Sequence, residues 1–288
     1  LALIVGVISS AYSLQRGAKA VLASTNAYPA PADSPKYQVL HNVVDEMSIA
    51  AGLPRPQVYV VPDDDPNAFA TGKDPAHSYI AVTEGLVQTL SREELQGVIA
   101  HEMSHVRNYD IRLMTVVAAL VGAILLISDA ARHMMRFGGG RGGVRGGGKK
   151  SKGGGPIMLI VFAIWLLALI LAPIISQLLA MAVSRKREYL ADASGAELTR
   201  NPLALANALE RIESAEAPTA SIKKGTAHLC IADPLGRAFN AKEGFMAELF
   251  GTHPPISKRI TLLKSMAYQY EHAPPPPSAS QETSPGSR

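Results

Sequence analysis

His101 and His105 stand four positions apart, with Glu102 directly after the first, in the order His-Glu-x-x-His. On an α-helix, residues at i and i+4 share a face one turn apart, so the two imidazoles can close on one metal ion. Imidazole nitrogens suit zinc, and a carboxylate next to the first ligand can reach a water in the metal's open position. Zinc lowers the pKa of such a water towards about 7, so Glu102 would act as general base while the resulting hydroxide attacks a peptide carbonyl. The same short pattern also arises as two ordinary histidines and a surface glutamate, and a third ligand is what separates the two readings.

The stretch Ser91–Asp110 must position these groups, and it predicts a helix. Ser91 is a good N-cap, Glu94 completes a capping box, and no Gly or Pro follows Gly97. Leu95, Val98, Ile99 and Met103 give the helix an apolar side. The pattern runs on without an evident break past Asp110 into Leu113–Ser128, which carries no charge. Pro156–Ser184 is uncharged over twenty-nine residues and is long enough to span a bilayer. Between the two lies Gly138–Gly155, rich in Gly, Arg and Lys, which reads as a flexible loop. The two apolar runs with this loop predict a membrane hairpin over 113–184 that brings the chain back to the His-Glu-x-x-His helix.

It returns at Arg187-Glu188-Tyr189-Leu190-Ala191-Asp192. Glu188 and Asp192 share a helix face. Glu188 can ligate the metal while Asp192 accepts a hydrogen bond from the outer nitrogen of a ligand histidine. Alone, such a pair belongs to a solvated helix surface; the upstream motif favours the ligand reading. His253, before Pro254 and Pro255, is a candidate oxyanion donor, or simply a histidine at a helix entry.

Composition narrows the class. At 288 residues the chain can bury a sizeable core, and 47% hydrophobic content points to membrane segments. The net charge of +4 gathers in the Gly-rich loop and beside apolar runs, which fits membrane flanks and not a nucleic-acid face. Cys230 is the single cysteine, so neither an intramolecular disulfide nor a cysteine-based zinc site can form.

Elsewhere, Leu1–Leu14 reads as the end of a transmembrane helix whose start is missing, and Tyr28–Asp33 as a Pro-rich linker. Ser34–Ala51 predicts a helix stopped by Gly52, and Val58–Val61 a short strand. Asp63–Asp65 reads as a solvated turn. Asn67–Gly72 and Ser78–Val82 predict a hairpin whose exposed edge could pair with an extended substrate at Asn67, Ala68, Phe69 and Ala70, or merely support the helix. Asn201-Pro202 opens another helix, and Pro254–Tyr268 a terminal one. Thr226–Ala232 is ambiguous, and 273–288 reads as a disordered tail.

Four blocks in this order carry a resemblance: Pro66–Gly72 (PNAFATG), Ala100–Asp110 (AHEMSHVRNYD), Ser184–Gly195 (SRKREYLADASG) and Gly251–Ile260 (GTHPPISKRI). The chain resembles the HtpX family of membrane-bound zinc metallopeptidases, related to the CAAX prenyl proteases. The resemblance implies a heat-shock-type protease that cleaves misfolded or damaged membrane proteins, in the inner membrane with its catalytic domain in the cytoplasm. It also implies Glu188 as third ligand to one zinc per subunit. The expected fold is α+β and mostly helical: a zincin-like metallopeptidase domain with a small sheet, its parts 34–112 and 185–270 interrupted by the membrane hairpin. The alternatives are a prenyl-protein protease and a non-catalytic membrane scaffold with a structural zinc. The seven Arg and Lys residues of 132–152 leave two topologies open. Either that loop lies outside despite its charge, or the hairpin does not fully cross.

Overall fold

The computed structural model describes residues 16–118, 160–167, 171, 185–215, 229–232 and 254–272. The expected transmembrane end at 1–14, the Gly-rich loop 138–155, His253 and the tail 273–288 lie outside these residues, as does most of the 113–184 hairpin. Among the described residues, no helix is long and apolar enough to cross a membrane.

The fold is mostly helical with one small mixed sheet. Helix α1 spans Pro35–Ala51. Its end follows from Gly52, whose φ of 65° is a left-handed conformation glycine adopts without penalty. Gly52 N–H then donates to Ile49 O and Leu53 N–H to Ser48 O, closing the carbonyls that a helix end leaves open. The sheet has four strands: β1 Tyr28–Pro29, which precedes α1, and β2 Gln57–Val61, β3 Ala68–Asp74 and β4 His77–Thr83, which follow it. Their order across the sheet is β1-β2-β4-β3. The β3–β4 hairpin is antiparallel, and β2 runs parallel to β4. Tyr28–Pro29, expected within a linker, instead pairs with β2 as an edge strand. A proline is tolerated there because an edge strand leaves some N–H groups unused. The acidic turn also differs from expectation. Asp63 and Asp65 are buried, with Asp63 Oδ1 accepting from Asp65 N–H at 3.0 Å.

Period-two alternation divides the sheet between two apolar layers. Val58, Val60, Ala68, Ala70, Ile80 and Val82 face the main core with Leu40, Val44, Val98, Ile99 and Met103. Val61, Phe69 and Ala81 face the second layer, with Met114, Val117 and Cys230. After β4 come α2 (Glu84–Thr89) and α3 (Arg92–Arg107), and later α4 (Arg185–Thr199), α5 (Pro202–Glu213) and α6 (Ile256–His272). Helix α3 is central and packs against α1, α4, α5 and the sheet.

The helix predicted to run unbroken past Asp110 is interrupted. α3 ends at Arg107, Asn108 caps it, and Tyr109 takes φ 59° before helical residues resume at 110–118. A left-handed non-glycine residue costs about 1–2 kcal/mol. What the break achieves is to aim Asp110 back at the helix it has just left.

Candidate metal centre

Helix α3 starts on a full capping box. Ser91 Oγ accepts from Glu94 N–H at 3.3 Å, and Glu94 Oε2 accepts from Ser91 N–H at 2.8 Å. Glu94 also accepts from Arg211 Nε of α5 at 2.7 Å. Two glycines let neighbouring helices approach α3 closely. A Cβ on Gly97 would lie 2.7 Å from Leu205 N, and one on Gly195 would lie 3.0 Å from His101 N. Helix α4 therefore packs its backbone against the residue that carries the first imidazole.

That approach brings the expected residues together. His101, Glu102, His105 and Glu188 are all buried. The two imidazoles cross nearly at right angles, with Nε2 atoms 3.2 Å apart. Glu188 Oε1 lies 3.5 Å from His105 Nε2 and Oε2 lies 3.7 Å from His101 Nε2. One donor atom from each of the three residues falls within 4.8 Å of the others.

The outer nitrogens fix how the rings point. His101 Nδ1 is 3.0 Å from Asp192 Oδ1, and His105 Nδ1 is 3.1 Å from Asp110 Oδ2. A carboxylate accepts only, so each Nδ1 carries the proton and each Nε2 presents a lone pair. Two ring nitrogens converging at 3.2 Å, with a carboxylate beside them, form a donor set that suits a cation, either a metal ion or a shared proton. The charges agree. The buried carboxylates are Glu102, Asp110, Glu188 and Asp192, and the guanidiniums facing them are Arg187 and Arg259. A divalent ion balances the remainder, so these residues fit zinc.

Arg259 is a member that sequence reasoning did not assign. It is fully buried and forks onto Asp192, Nε to Oδ2 at 2.8 Å and Nη2 to Oδ1 at 2.7 Å. Nη1 donates to Ile231 O at 2.8 Å and lies 3.7 Å from Glu188 Oε2. Asp110, held by Arg187 Nη1 at 3.1 Å, was likewise unassigned. Both lie inside blocks that carry the resemblance, but neither is placed there by a spacing rule.

The electrostatics follow from burial and these partners. Burial pushes the Glu102 carboxyl up to about 7, and Glu188 adds to the rise, against the opposing pull of His105, the Ala70 N–H and Arg259. Burial lowers His105, but the Asp110 hydrogen bond and the charges of Glu188, Glu102 and Asp110 outweigh it and raise it to about 9 in the metal-free protein, so an ion entering here displaces the Nε2 proton and frees that lone pair. Burial pulls His101 down, and the Arg259 and His105 charges reinforce that against Asp192. Burial would raise Asp192, yet Arg259 holds it below the usual carboxylate range.

Asn67, Ala68, Phe69 and Ala70 lie at the edge of the sheet, and the Ala70 N–H is close enough to Glu102 to favour its ionised form. That edge is not open along its length. Phe69 bridges Cys230 in antiparallel sense, and Ile231 N–H donates to Ala68 O at 2.9 Å. Within the ambiguous stretch 226–232, the described residues 229–232 thus contribute a single antiparallel bridge at Cys230, flanked by a turn of 3-10 helix and a bend.

A helix carrying two convergent histidines, and a second helix returning a glutamate to them, define a metallopeptidase. Residues 35–267 match the model of peptidase family M48, and the chain belongs to that family. It is a metalloprotease, a hydrolase of peptide bonds. Among its relatives is the "Protease HtpX homolog" of Thermoanaerobacter pseudethanolicus, 48% identical over 86% of this chain and 78% of the relative. The protein of the same name from Streptococcus agalactiae is 45% identical over 92% and 85%. A crystal structure of S. mikatae Ste24p superposes at a TM-score of 0.49 with 20% identity, covering 91% of this chain and 57% of that one.

Proposed function

We propose that this chain is a zinc-dependent endopeptidase of membrane protein quality control, with Glu102 as general base. The observation that carries the reading is the convergence of His101 Nε2, His105 Nε2 and Glu188, with the buried Glu102 carboxyl next to His101 in the chain. Three protein ligands leave a fourth position, the pattern of catalytic zinc and not of structural zinc. Zinc bound there would supply Lewis acidity towards a carbonyl and would lower the pKa of water.

The chain's own groups do the rest. Asp192 and Asp110 hold the imidazoles in one tautomer and orientation. Glu102, a buried carboxyl one residue from His101, takes a proton at its carboxylate and can return it to the leaving amine. Residues Asn67–Ala70 are the proposed seat of an extended substrate backbone. His253 is kept as oxyanion donor on its sequence position alone. The substrates are misfolded or damaged membrane proteins, and the site is the inner membrane with the catalytic part in the cytoplasm. Support for the membrane comes from the uncharged runs 113–128 and 156–184. No nucleic acid is expected as partner.

The deciding experiment is Glu102→Gln in the full chain. Zinc content should stay at one per chain, while cleavage of an unfolded membrane protein falls by about 10²–10⁴-fold. Persistent cleavage removes Glu102 from the mechanism. Carbonate-resistant sedimentation with membranes tests the location, and extraction into the soluble fraction would refute it.

A further inference from the structure

Alternate residues of β3 bond in opposite directions. Asn67 O accepts from Thr83 N–H at 2.9 Å, on the β4 side. Ala68, Ala70 and Gly72 turn away from β4, and each has a partner across the other edge. Ala68 O accepts from Ile231 N–H, Ala70 N–H meets Glu102, and Gly72 N–H donates to Thr115 Oγ1 at 2.9 Å.

The 229–232 segment is held by main-chain atoms. Besides the Ile231 bond to Ala68, Arg259 Nη1 donates to Ile231 O at 2.8 Å and Asn67 Nδ2 donates to Ala232 O at 3.1 Å. Both side chains are fully buried. A carbonyl acceptor, a side-chain amide and a guanidinium that address only N–H and C=O groups would hold any extended peptide, whatever its sequence. The same guanidinium grips Asp192, which orients His101. The cradle is therefore in register with the metal centre.

We propose that 229–232 is an internal occupant of the substrate-backbone cradle formed by Asn67, Ala68 and Arg259, and that a substrate binds by exchanging with it. This rests on the reading that a substrate strand lies along β3. It adds Arg259 as a residue that binds the substrate's carbonyl, and it makes the resting protein self-blocked. Leu229, Cys230, Ile231 and Ala232 are all buried in apolar surroundings. Their release exposes that surface, so the peptide that replaces them must be extended and apolar. Unfolded stretches of membrane-derived sequence have that chemistry.

Cys230 provides the test. Phe69 and Cys230 form a directly opposed antiparallel pair outside the hydrogen bonds, where Cα atoms lie about 4.5 Å apart, within reach of a disulfide. Phe69→Cys should thus lock the segment on oxidation. Activity towards an unfolded apolar polypeptide is compared between the oxidised and phosphine-reduced states of that one variant, with zinc present. At least a tenfold loss on oxidation, reversed by reduction, is expected. Equal activity in both states overturns the proposal and leaves the peptidase reading intact. Because Phe69 is buried, a second measurement uses the native thiol. In the Glu102→Gln protein, alkylation of Cys230 should accelerate several-fold when carboxymethylated α-lactalbumin is added. An unchanged rate overturns the proposal. This second readout needs binding alone, so it decides the matter even if the zinc-loaded wild type cleaves nothing, the result that would refute the peptidase reading instead.

Discussion

Asp110 Oδ2 lies 3.1 Å from His105 Nδ1, and this contact exists because the chain breaks helix at Tyr109. Asp192 plays the corresponding part for His101 from another helix. Each of the two rings is thus held at its outer nitrogen by a carboxylate that a guanidinium in turn holds, Arg187 for Asp110 and Arg259 for Asp192. Asp110→Asn keeps the shape and removes the charge. Zinc affinity, measured by competition with a chromophoric chelator, should fall about 10–100-fold. An unchanged affinity would mean that the contact only packs.

Glu188→Ala removes the third donor and leaves two imidazoles. Zinc per chain after dialysis should drop well below one. The thermal midpoint of the variant should also stop responding to added zinc, because an ion that binds only the folded state stabilises it in proportion to its affinity. Full zinc stoichiometry would exclude Glu188 as ligand.

Arg259→Leu leaves Asp192 buried beside Glu188 without its cation. Removing one partner of a buried pair costs about 3–5 kcal/mol, because the remaining charge stays uncompensated. Urea unfolding of the zinc-free protein should show a loss of that order. The double variant with Asp192→Asn should lose less than the sum of the single changes. Strict additivity would mean that the two groups do not act together.

The cap of α3 makes a prediction about acid. Burial would raise Glu94, but the Ser91 N–H and Arg211 outweigh it and leave the carboxyl below its ordinary 4.5. A depressed folded pKa gives stability that is present above the unfolded value and lost as pH falls through the folded one. Glu94→Gln should therefore lower stability by about 1 kcal/mol at neutral pH. Thermal scans should show the gap closing as pH drops below 4.5 and Glu94 protonates. A gap independent of pH would assign the effect to shape alone.

Much of the centre was legible because helical spacing is a local rule. His101, Glu102 and His105 follow from i,i+4 geometry, and Glu188 with Asp192 from the same rule on a second helix. The capping box at Ser91 and the stop at Gly52 are equally local. Asp110 was not legible in this way. A sequence without glycine at 108–110 gives no sign of the left-handed Tyr109 that turns the chain back. Arg259 was hidden for the opposite reason. An arginine on an amphipathic helix is ordinarily solvated, and its burial depends on a carboxylate 67 residues away. The β3 edge was read correctly as a strand, but its occupation by 229–232 is a long-range pairing that no local pattern encodes. Tyr28–Pro29 became an edge strand by the same kind of pairing.

The sequence distance between parts of the centre has a consequence for how the protein is made. Arg259 meets His101 across 158 residues. At a synthesis rate of about 5–20 residues per second, the first histidine leaves the ribosome on the order of ten seconds or more before the residue that completes its surroundings. Throughout that interval the chain holds the two imidazoles and the Glu102 carboxyl without the groups that surround them in the fold. A nascent chain of this build cannot close the cluster of His101, Glu188, Asp192 and Arg259 until residue 259 has been made.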